Sequence, residues 1–190
     1  MRKIFEQLQK RSTKMLITEA AIERVKVISV DEFDKEENEK LQQLHKQLLS
    51  LAKTKNKSNE VGFLINLMDW SYIVIYGTEN GISLGSQEEA KELICTAPQK
   101  SLVFLHNHPK NSIFSERDLE SFFTADSILS MSVVCNNGFV YLLTKEQSYD
   151  KYQSLVTYNK IYEDNEEGCV REFLRICKKI GLSFDYGVIG

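Results

Sequence analysis

The hydrophobic residues in the middle of the chain occur in short apolar runs that end at turn-forming residues. Runs of this length, bounded by Gly, Pro, Asn or Asp, predict buried β-strands. The pattern predicts five strands, over residues 61–67, 72–76, 101–108, 131–135 and 139–143. The last two strands are joined by Asn136-Asn137-Gly138, which predicts a hairpin because an Asn-Gly pair adopts positive φ at low cost.

Elsewhere the apolar residues recur every three or four positions, which is the period of an amphipathic helix. The longest such stretch is 35–53, where leucines and Ala52 form one stripe on a highly charged segment. Further helices are predicted over 87–95, over 115–127 and over much of the C-terminal part up to Gly181. Near the N-terminus the pattern predicts a short amphipathic helix around 4–8 and a strand over 24–30.

Helices interleaved with hairpins predict an α/β (α+β) fold, in which helices pack on a mixed, largely antiparallel sheet. The chain has 190 residues and 42% hydrophobic content, which suffices for one substantial core. We therefore expect a single domain over 1–190. It divides into an N-terminal flank (1–57) with an amphipathic helix, a central core (58–145) and a helical C-terminal extension (146–190).

Charge and composition restrict the classes of partner. The formal net charge of −3 gives no electrostatic reason to expect a nucleic-acid partner. No apolar run approaches the ~20 residues that span a bilayer, and the first residues lack the apolar core of a signal peptide. The cysteines have neither CxxC nor disulfide-framework spacing. We therefore expect a cytoplasmic protein without a membrane partner, and the sequence leaves its oligomeric state open.

The candidate chemistry begins where the strand at 101–108 ends, in His106-Asn107-His108-Pro109. Side chains two apart on a strand point to the same face, so both histidines can reach one metal ion while Asn107 faces away. Pro109 lacks the amide hydrogen that a central strand needs, and the strand should end there. Both imidazoles are therefore expected at the rim of the sheet.

Ser115 and Asp118 follow at the start of the next predicted helix. Ser115 is placed to cap that helix, and Asp118 lies at the third helical position, where its carboxylate can point back toward the histidines. Two imidazoles and one carboxylate, with a fourth position left for water, are typical of a catalytic zinc site. His45 lies on the 35–53 helix without a companion ligand and is not assigned to this site.

Each of these residues also has an ordinary structural explanation. A Ser-x-x-Asp motif before apolar residues is a common helix start, and isolated histidines are more often hydrogen-bonded surface or core residues. An acidic residue before a strand, such as Glu60, is usually solvated. A cysteine protease that uses His106 or His108 is a further alternative, although nothing in the sequence selects its cysteine. The joint arrangement of strand, His-x-His-Pro, loop and Ser-x-x-Asp helix favours the metal site.

The same residues resemble the signature of the JAB/MPN (JAMM) family of zinc isopeptidases and peptidases, which is His-x-His-Pro, a spacer and Ser-x-x-Asp. The spacer before Ser115 is one residue shorter than in eukaryotic members, which resembles the bacterial or phage-type (RadC-like) branch. The family also uses a glutamate from an earlier strand, and Glu60 stands at the matching position. The resemblance implies Zn²⁺ on His106, His108 and Asp118.

The resemblance also implies a mechanism and a substrate class. Glu60 would act as general base and acid, and Ser115 would donate a hydrogen bond to the oxyanion. The implied activity is hydrolysis of a peptide or isopeptide bond, with a peptide tail or a ubiquitin-like protein as the protein partner. Two alternatives remain open. One is a JAB-fold protein-binding module without catalysis, and the other is a RadC-like protein associated with nucleic acid.

Overall fold

The computed structural model describes residues 14–187, in which six strands form one sheet. The strands are β1 (Val61–Asn66), β2 (Tyr72–Tyr76), β3 (Leu102–His108), β4 (Ile128–Cys135), β5 (Val140–Lys145) and β6 (Leu182–Tyr186). Their order across the sheet is β2-β1-β3-β4-β5-β6, and β3 and β4 are parallel while every other neighbouring pair is antiparallel. The predicted mixed, largely antiparallel sheet is confirmed.

Helices connect and cover these strands. The α-helices among the described residues are α1 (Glu19–Arg24), α2 (Lys35–Lys55), α3 (Glu88–Thr96), α4 (Glu116–Thr124), α5 (Lys151–Asp164) and α6 (Cys169–Ile176). Short 3-10 helices occur at Leu84–Ser86, Glu166–Gly168 and Cys177–Ile180. Within residues 14–187, none of the helices combines the length and the apolar character that crossing a bilayer requires. The predicted helix around 4–8 lies outside the described residues.

Each face of the sheet buries its own hydrophobic cluster. On one face, Leu48 of α2 belongs to the same buried cluster as Phe63 of β1. On the other face, Phe122 of α4 and Phe173 of α6 join Phe104 of β3. Alternating side chains of each strand therefore enter opposite layers, which is the consequence of the two-residue period of a strand. The α4 face is the one that carries the candidate site.

The strand predicted over 24–30 is wrong. Arg24 ends α1, and the following residues have no strand partner in the described part of the chain. Val25 and Val30 are nevertheless buried, and their backbone groups bond to side chains of α2. Gln42 Nε2 donates to the Val25 carbonyl at 2.8 Å, and the Val30 amide donates to Asn38 Oδ1 at 2.8 Å. A strand would bury every second residue, whereas two consecutive residues are exposed after Val25, so packing against a helix imitates a strand only in the apolar pattern of the sequence.

The C-terminal part differs from the helical extension that the sequence predicts. Gly181 ends the helical region as expected, in a left-handed conformation with φ of 76°. The next residues form β6, an edge strand that pairs with β5 in antiparallel register from Leu182 to Tyr186. This strand is five residues long. A pattern this short does not predict a strand against the stronger helical periodicity that precedes it.

Candidate metal centre

β3 carries both candidate histidines at its C-terminal end, and the strand stops at His108 as Pro109 predicts. His106 is fully buried and His108 is 6% exposed. The His106 ring stacks on Phe104 with a centroid distance of 5.0 Å, which places it on the α4 face. β1 pairs with β3 as far as His106 and β4 pairs with it as far as His108, so ladder hydrogen bonds hold the end of the strand.

The first turn of α4 brings Asp118 to these histidines. Ser115 caps the helix: its hydroxyl accepts from the Asp118 amide at 3.2 Å, and its own amide donates to Asp118 Oδ2 at 2.6 Å. The Ser115 hydroxyl also donates to Oδ2 at 2.7 Å. Two donors thus hold Oδ2, and Oδ1 is left to face His106. The capping box orients the carboxylate, as outer-shell partners of metal ligands do.

The spacing of the three groups fits a tetrahedral metal ion. The Nε2 atoms of His106 and His108 are 3.1 Å apart. Asp118 Oδ1 lies 3.2 Å from His106 Nε2, and Oδ2 lies 3.3 Å from His108 Nε2. An ion that binds N and O ligands at about 2.0–2.1 Å in tetrahedral geometry separates them by about 3.3–3.4 Å. Because each residue offers one ligand atom within 4.8 Å of the other two, the three side chains are close enough to share one metal ion.

The electrostatics of the cluster favour an ionised Asp118 and a neutral His106, whereas they favour a proton on His108, which a bound cation would have to displace. Burial opposes ionisation of Asp118, but the adjacent histidines hold its pKa well below the ordinary value. Burial lowers the pKa of His106 and keeps its imidazole neutral. Burial also opposes protonation of His108, but hydrogen bonding to Asp118 and the negative charge there raise its pKa. The site therefore attracts positive charge beside the carboxylate, which is what a metal cation supplies.

The outer nitrogen of His108 has a defined partner. Its Nδ1 lies 3.2 Å from the Ser112 carbonyl oxygen and 3.0 Å from the Ser112 hydroxyl. Donation from Nδ1 to the carbonyl leaves the lone pair on Nε2, the atom that faces Asp118. Cys135 Sγ donates to the same carbonyl at 3.5 Å. By contrast, His106 Nδ1 is buried and has no hydrogen-bond partner among residues 14–187.

Glu60 immediately precedes β1 and borders the same cleft as His108 and Asp118. The residue is 7% exposed, and burial raises the pKa of its carboxyl group to about 7. A carboxyl group with this pKa can take up and release a proton near neutral pH. The cleft has a volume of about 620 Å³ and is also bordered by Ser115. The structure thus brings together all five residues that the sequence singles out.

Asn107 is a site residue that the sequence analysis missed. Its side chain points away from the histidines, as predicted, and bonds to the peptide groups on both sides of Glu60. Oδ1 accepts from the Val61 amide at 2.7 Å, and Nδ2 donates to the Asn59 carbonyl at 3.2 Å. Nδ2 also donates to Asn136 Oδ1 at 2.7 Å. An amide inside an apolar strand was the available signal, because a buried amide needs partners for both ends.

His45 lies apart from this site. It is fully buried on the α2 side of the sheet, and its Nε2 forms a hydrogen bond with the Ser132 hydroxyl. Among the described residues, the group of side chains spaced for a metal consists of His106, His108 and Asp118.

No protein-family model, curated protein or solved structure matches the chain. Function is therefore inferred from the site itself.

Proposed function

We propose that this chain is a zinc-dependent metallopeptidase that hydrolyses a peptide or isopeptide bond in a protein substrate. The observation that carries the proposal is the convergence of His106, His108 and Asp118 at tetrahedral ligand spacing, in a cleft that Glu60 also borders. Three protein ligands leave one position for water or substrate, as in catalytic rather than structural zinc sites. The resemblance of the same residues to the JAMM signature supports this reading.

When bound, zinc supplies a Lewis acid that activates water and polarises the scissile carbonyl group. His106, His108 and Asp118 hold the ion, and Ser115 holds Asp118 in place through its two bonds to Oδ2. Burial of Glu60 keeps its pKa near neutrality, so the carboxylate accepts a proton from the attacking water. As the C–N bond breaks, Glu60 returns that proton to the departing amine nitrogen.

Ser115 has two functions in the proposal. It caps α4, and its hydroxyl is the group assigned to the oxyanion of the tetrahedral intermediate. The hydroxyl proton bonds to Asp118 Oδ2, so donation to an oxyanion requires the hydroxyl to rotate while the backbone amide keeps its bond to Oδ2. Ser115→Ala therefore removes the oxyanion donor and one of the two donors to Asp118.

The substrate is proposed to be a peptide tail or the isopeptide that links a lysine to the C-terminus of a ubiquitin-like protein. We place the activity in the cytoplasm. The cysteines support this location, since Cys95, Cys135, Cys169 and Cys177 are all free thiols, as is usual in a reducing compartment.

The test compares zinc content and turnover in three proteins after mild chelation. Mass spectrometry should find about one zinc ion per wild-type chain and per Glu60→Gln chain, and no retained zinc in His108→Ala. Cleavage of peptide and isopeptide substrates should occur with the wild type and be lost in both variants. Zinc in the wild type without cleavage of either substrate class, or activity that survives in Glu60→Gln, would reject the peptidase proposal. The first of these outcomes favours the binding module.

A further inference from the structure

A second cleft, of about 490 Å³, lies at the β6 edge of the sheet next to α6. Aromatic rings form one wall: Tyr141 and Phe184 are nearly parallel with centroids 6.4 Å apart, and Tyr186 lies 6.0 Å from Phe184. Tyr186 is 55% exposed, so a ligand in the cleft can contact its ring. We refer to this region as the aromatic cleft.

The opposite wall of the aromatic cleft is positively charged. Arg171 and Arg175 are exposed, four positions apart on α6, and therefore on the same side of that helix. Among the ion pairs of residues 14–187, none involves either arginine, and no Asp or Glu of these residues borders the cleft. Two guanidinium groups without counter-ions in a chain of net charge −3 indicate a site for an anionic group.

The aromatic cleft adjoins the cleft that Glu60, His108 and Asp118 border, which we call the metal cleft. Ser112 and Val170 border the metal cleft, and the residues that follow them in the chain, Ile113 and Arg171, border the aromatic cleft. A substrate chain that leaves the metal site over this rim reaches the arginines directly. β6 is also the last strand of the sheet order, so its outer backbone groups have no strand partner in the described part of the chain. An extended peptide can bond to such an edge.

We propose that the aromatic cleft binds a segment of the protein substrate in which an acidic residue stands next to an aromatic or large apolar residue. This inference rests on the proposed function, since it assigns the segment to the same substrate. The arginines bind the carboxylate by charge-assisted hydrogen bonds, and the ring wall accepts the apolar side chain. Arginine and aromatic rings also bind single-stranded nucleic acid, but such sites usually follow the backbone along a charged groove. Two arginines beside a cleft of this volume suit one or two side chains.

The test measures binding without turnover, in a Glu60→Gln background loaded with zinc. The probe is a fluorescein-labelled octapeptide with glutamates on both sides of one phenylalanine, in a glycine and serine background. Fluorescence anisotropy should show binding that weakens about tenfold or more in R171Q/R175Q, because both charge-assisted contacts are lost. The matched control is K160Q, which removes an exposed cation of α5 outside the cleft and should change Kd by less than about twofold. Tyr186→Ser should weaken binding through the apolar contact alone.

Two control probes complete the test: an octapeptide with lysines in place of the glutamates, and an eight-nucleotide oligothymidine. Equal Kd values for R171Q/R175Q and K160Q, or equal binding of the lysine peptide, would overturn the proposal. Tighter binding of the oligothymidine, lost in R171Q/R175Q, would overturn it in favour of nucleic acid. If wild-type protein cleaves no peptide while the acidic probe still requires both arginines, the cleft stands as a peptide site and the metallopeptidase proposal fails.

Discussion

The side chain of Asn107 clamps the backbone on both sides of Glu60. Its Oδ1 accepts a hydrogen bond from the Val61 amide at 2.7 Å, and its Nδ2 donates one to the Asn59 carbonyl at 3.2 Å. Asn107 also stands between the two histidines on β3. One buried amide therefore links the strand of the candidate metal ligands directly to the backbone of the proposed proton carrier.

This clamp predicts a separation of turnover from metal binding in Asn107→Leu. The two histidines remain on β3 and Asp118 remains on α4, so zinc content should stay near the wild-type value, while kcat should fall about 100-fold because the peptide groups on both sides of Glu60 lose their bonds to Asn107. The Val61 amide and the Asn59 carbonyl would also lose their partner, which should lower the free energy of unfolding by about 1–3 kcal/mol.

The control for Asn107→Leu is Asn66→Ala, at the far end of β1, which removes a hydrogen bond to the Met68 amide. It should leave kcat unchanged. Steady-state kinetics, metal analysis and thermal unfolding on both variants make the comparison. A fall in kcat that merely follows the loss of folded protein would contradict the positioning role.

Ser112 should affect metal affinity through His108. Its hydroxyl lies 3.0 Å from His108 Nδ1, and its carbonyl remains in place when the hydroxyl is removed. We therefore expect Ser112→Ala to weaken zinc binding about tenfold, at the lower end of the range for outer-shell partners. Competition with a chromogenic chelator measures this change. Asn111→Ala, an exposed neighbour in the same loop, should retain wild-type affinity, and equal losses in both variants would assign the effect to the loop instead.

Lys145 should make folding stability depend on pH above neutrality. The residue is 1% exposed, its ammonium group donates to the Ala125 carbonyl at 2.7 Å, and burial lowers its pKa to about 7. The unfolded chain keeps the proton up to about pH 10.4, so the unfolded state binds more protons between these values. The free energy of unfolding should therefore rise with pH across this interval, relative to Lys145→Met.

Urea unfolding at pH 7, 8 and 9 tests this dependence. The difference between the wild type and Lys145→Met should grow by on the order of 1 kcal/mol per pH unit in favour of the wild type. Lys160→Met controls for the loss of one positive charge at an exposed position. A constant difference between the wild type and Lys145→Met over the three pH values would mean that the buried amine does not titrate there.

Gly138 should tolerate no side chain. Its φ is 88°, and an added Cβ would lie 2.2 Å from the backbone carbonyl oxygen of Ala21. Gly138→Ala should destabilise the fold by about 2–4 kcal/mol, because the strained backbone and the contact with α1 must both relax. Gly85→Ala is the matched control, since an added Cβ there meets no atom within 4 Å. Thermal unfolding of the two variants should differ clearly, and equal melting temperatures would contradict the close approach.

The sequence predicts those strands, strand ends and helix starts that depend on neighbouring residues alone. The apolar runs, the Asn-Gly hairpin and the proline after His108 each specify a strand or its end, and Ser115 with Asp118 specifies a helix start. These local rules place the candidate ligand residues on one strand and on the helix that follows it. The segment at 25–30 has a strand-like apolar pattern but packs against α2, a distant contact that periodicity alone does not distinguish from strand pairing.

The role of Asn107 could not be derived from spacing either. Its partners Asn59 and Val61 lie more than forty positions earlier, and they become neighbours only when β1 pairs with β3. The same holds for the aromatic cleft, which needs β6 beside β5 and α6 above them. Contacts between distant segments are thus the part of the structure that the sequence pattern left open.

The parallel pairing of β3 with β4 encloses all three ligands within the segment from β3 through α4 to β4, whereas Glu60 comes from outside it. The proposed metal binding and the proposed proton transfer therefore depend on separable stretches of the chain. Natural variation can remove the second without disturbing the first, since a substitution at Glu60 leaves the ligands and their capping helix intact. If the proposed function holds, descendants of one ancestor can diverge into zinc enzymes and zinc-containing binding proteins through a change at Glu60 alone.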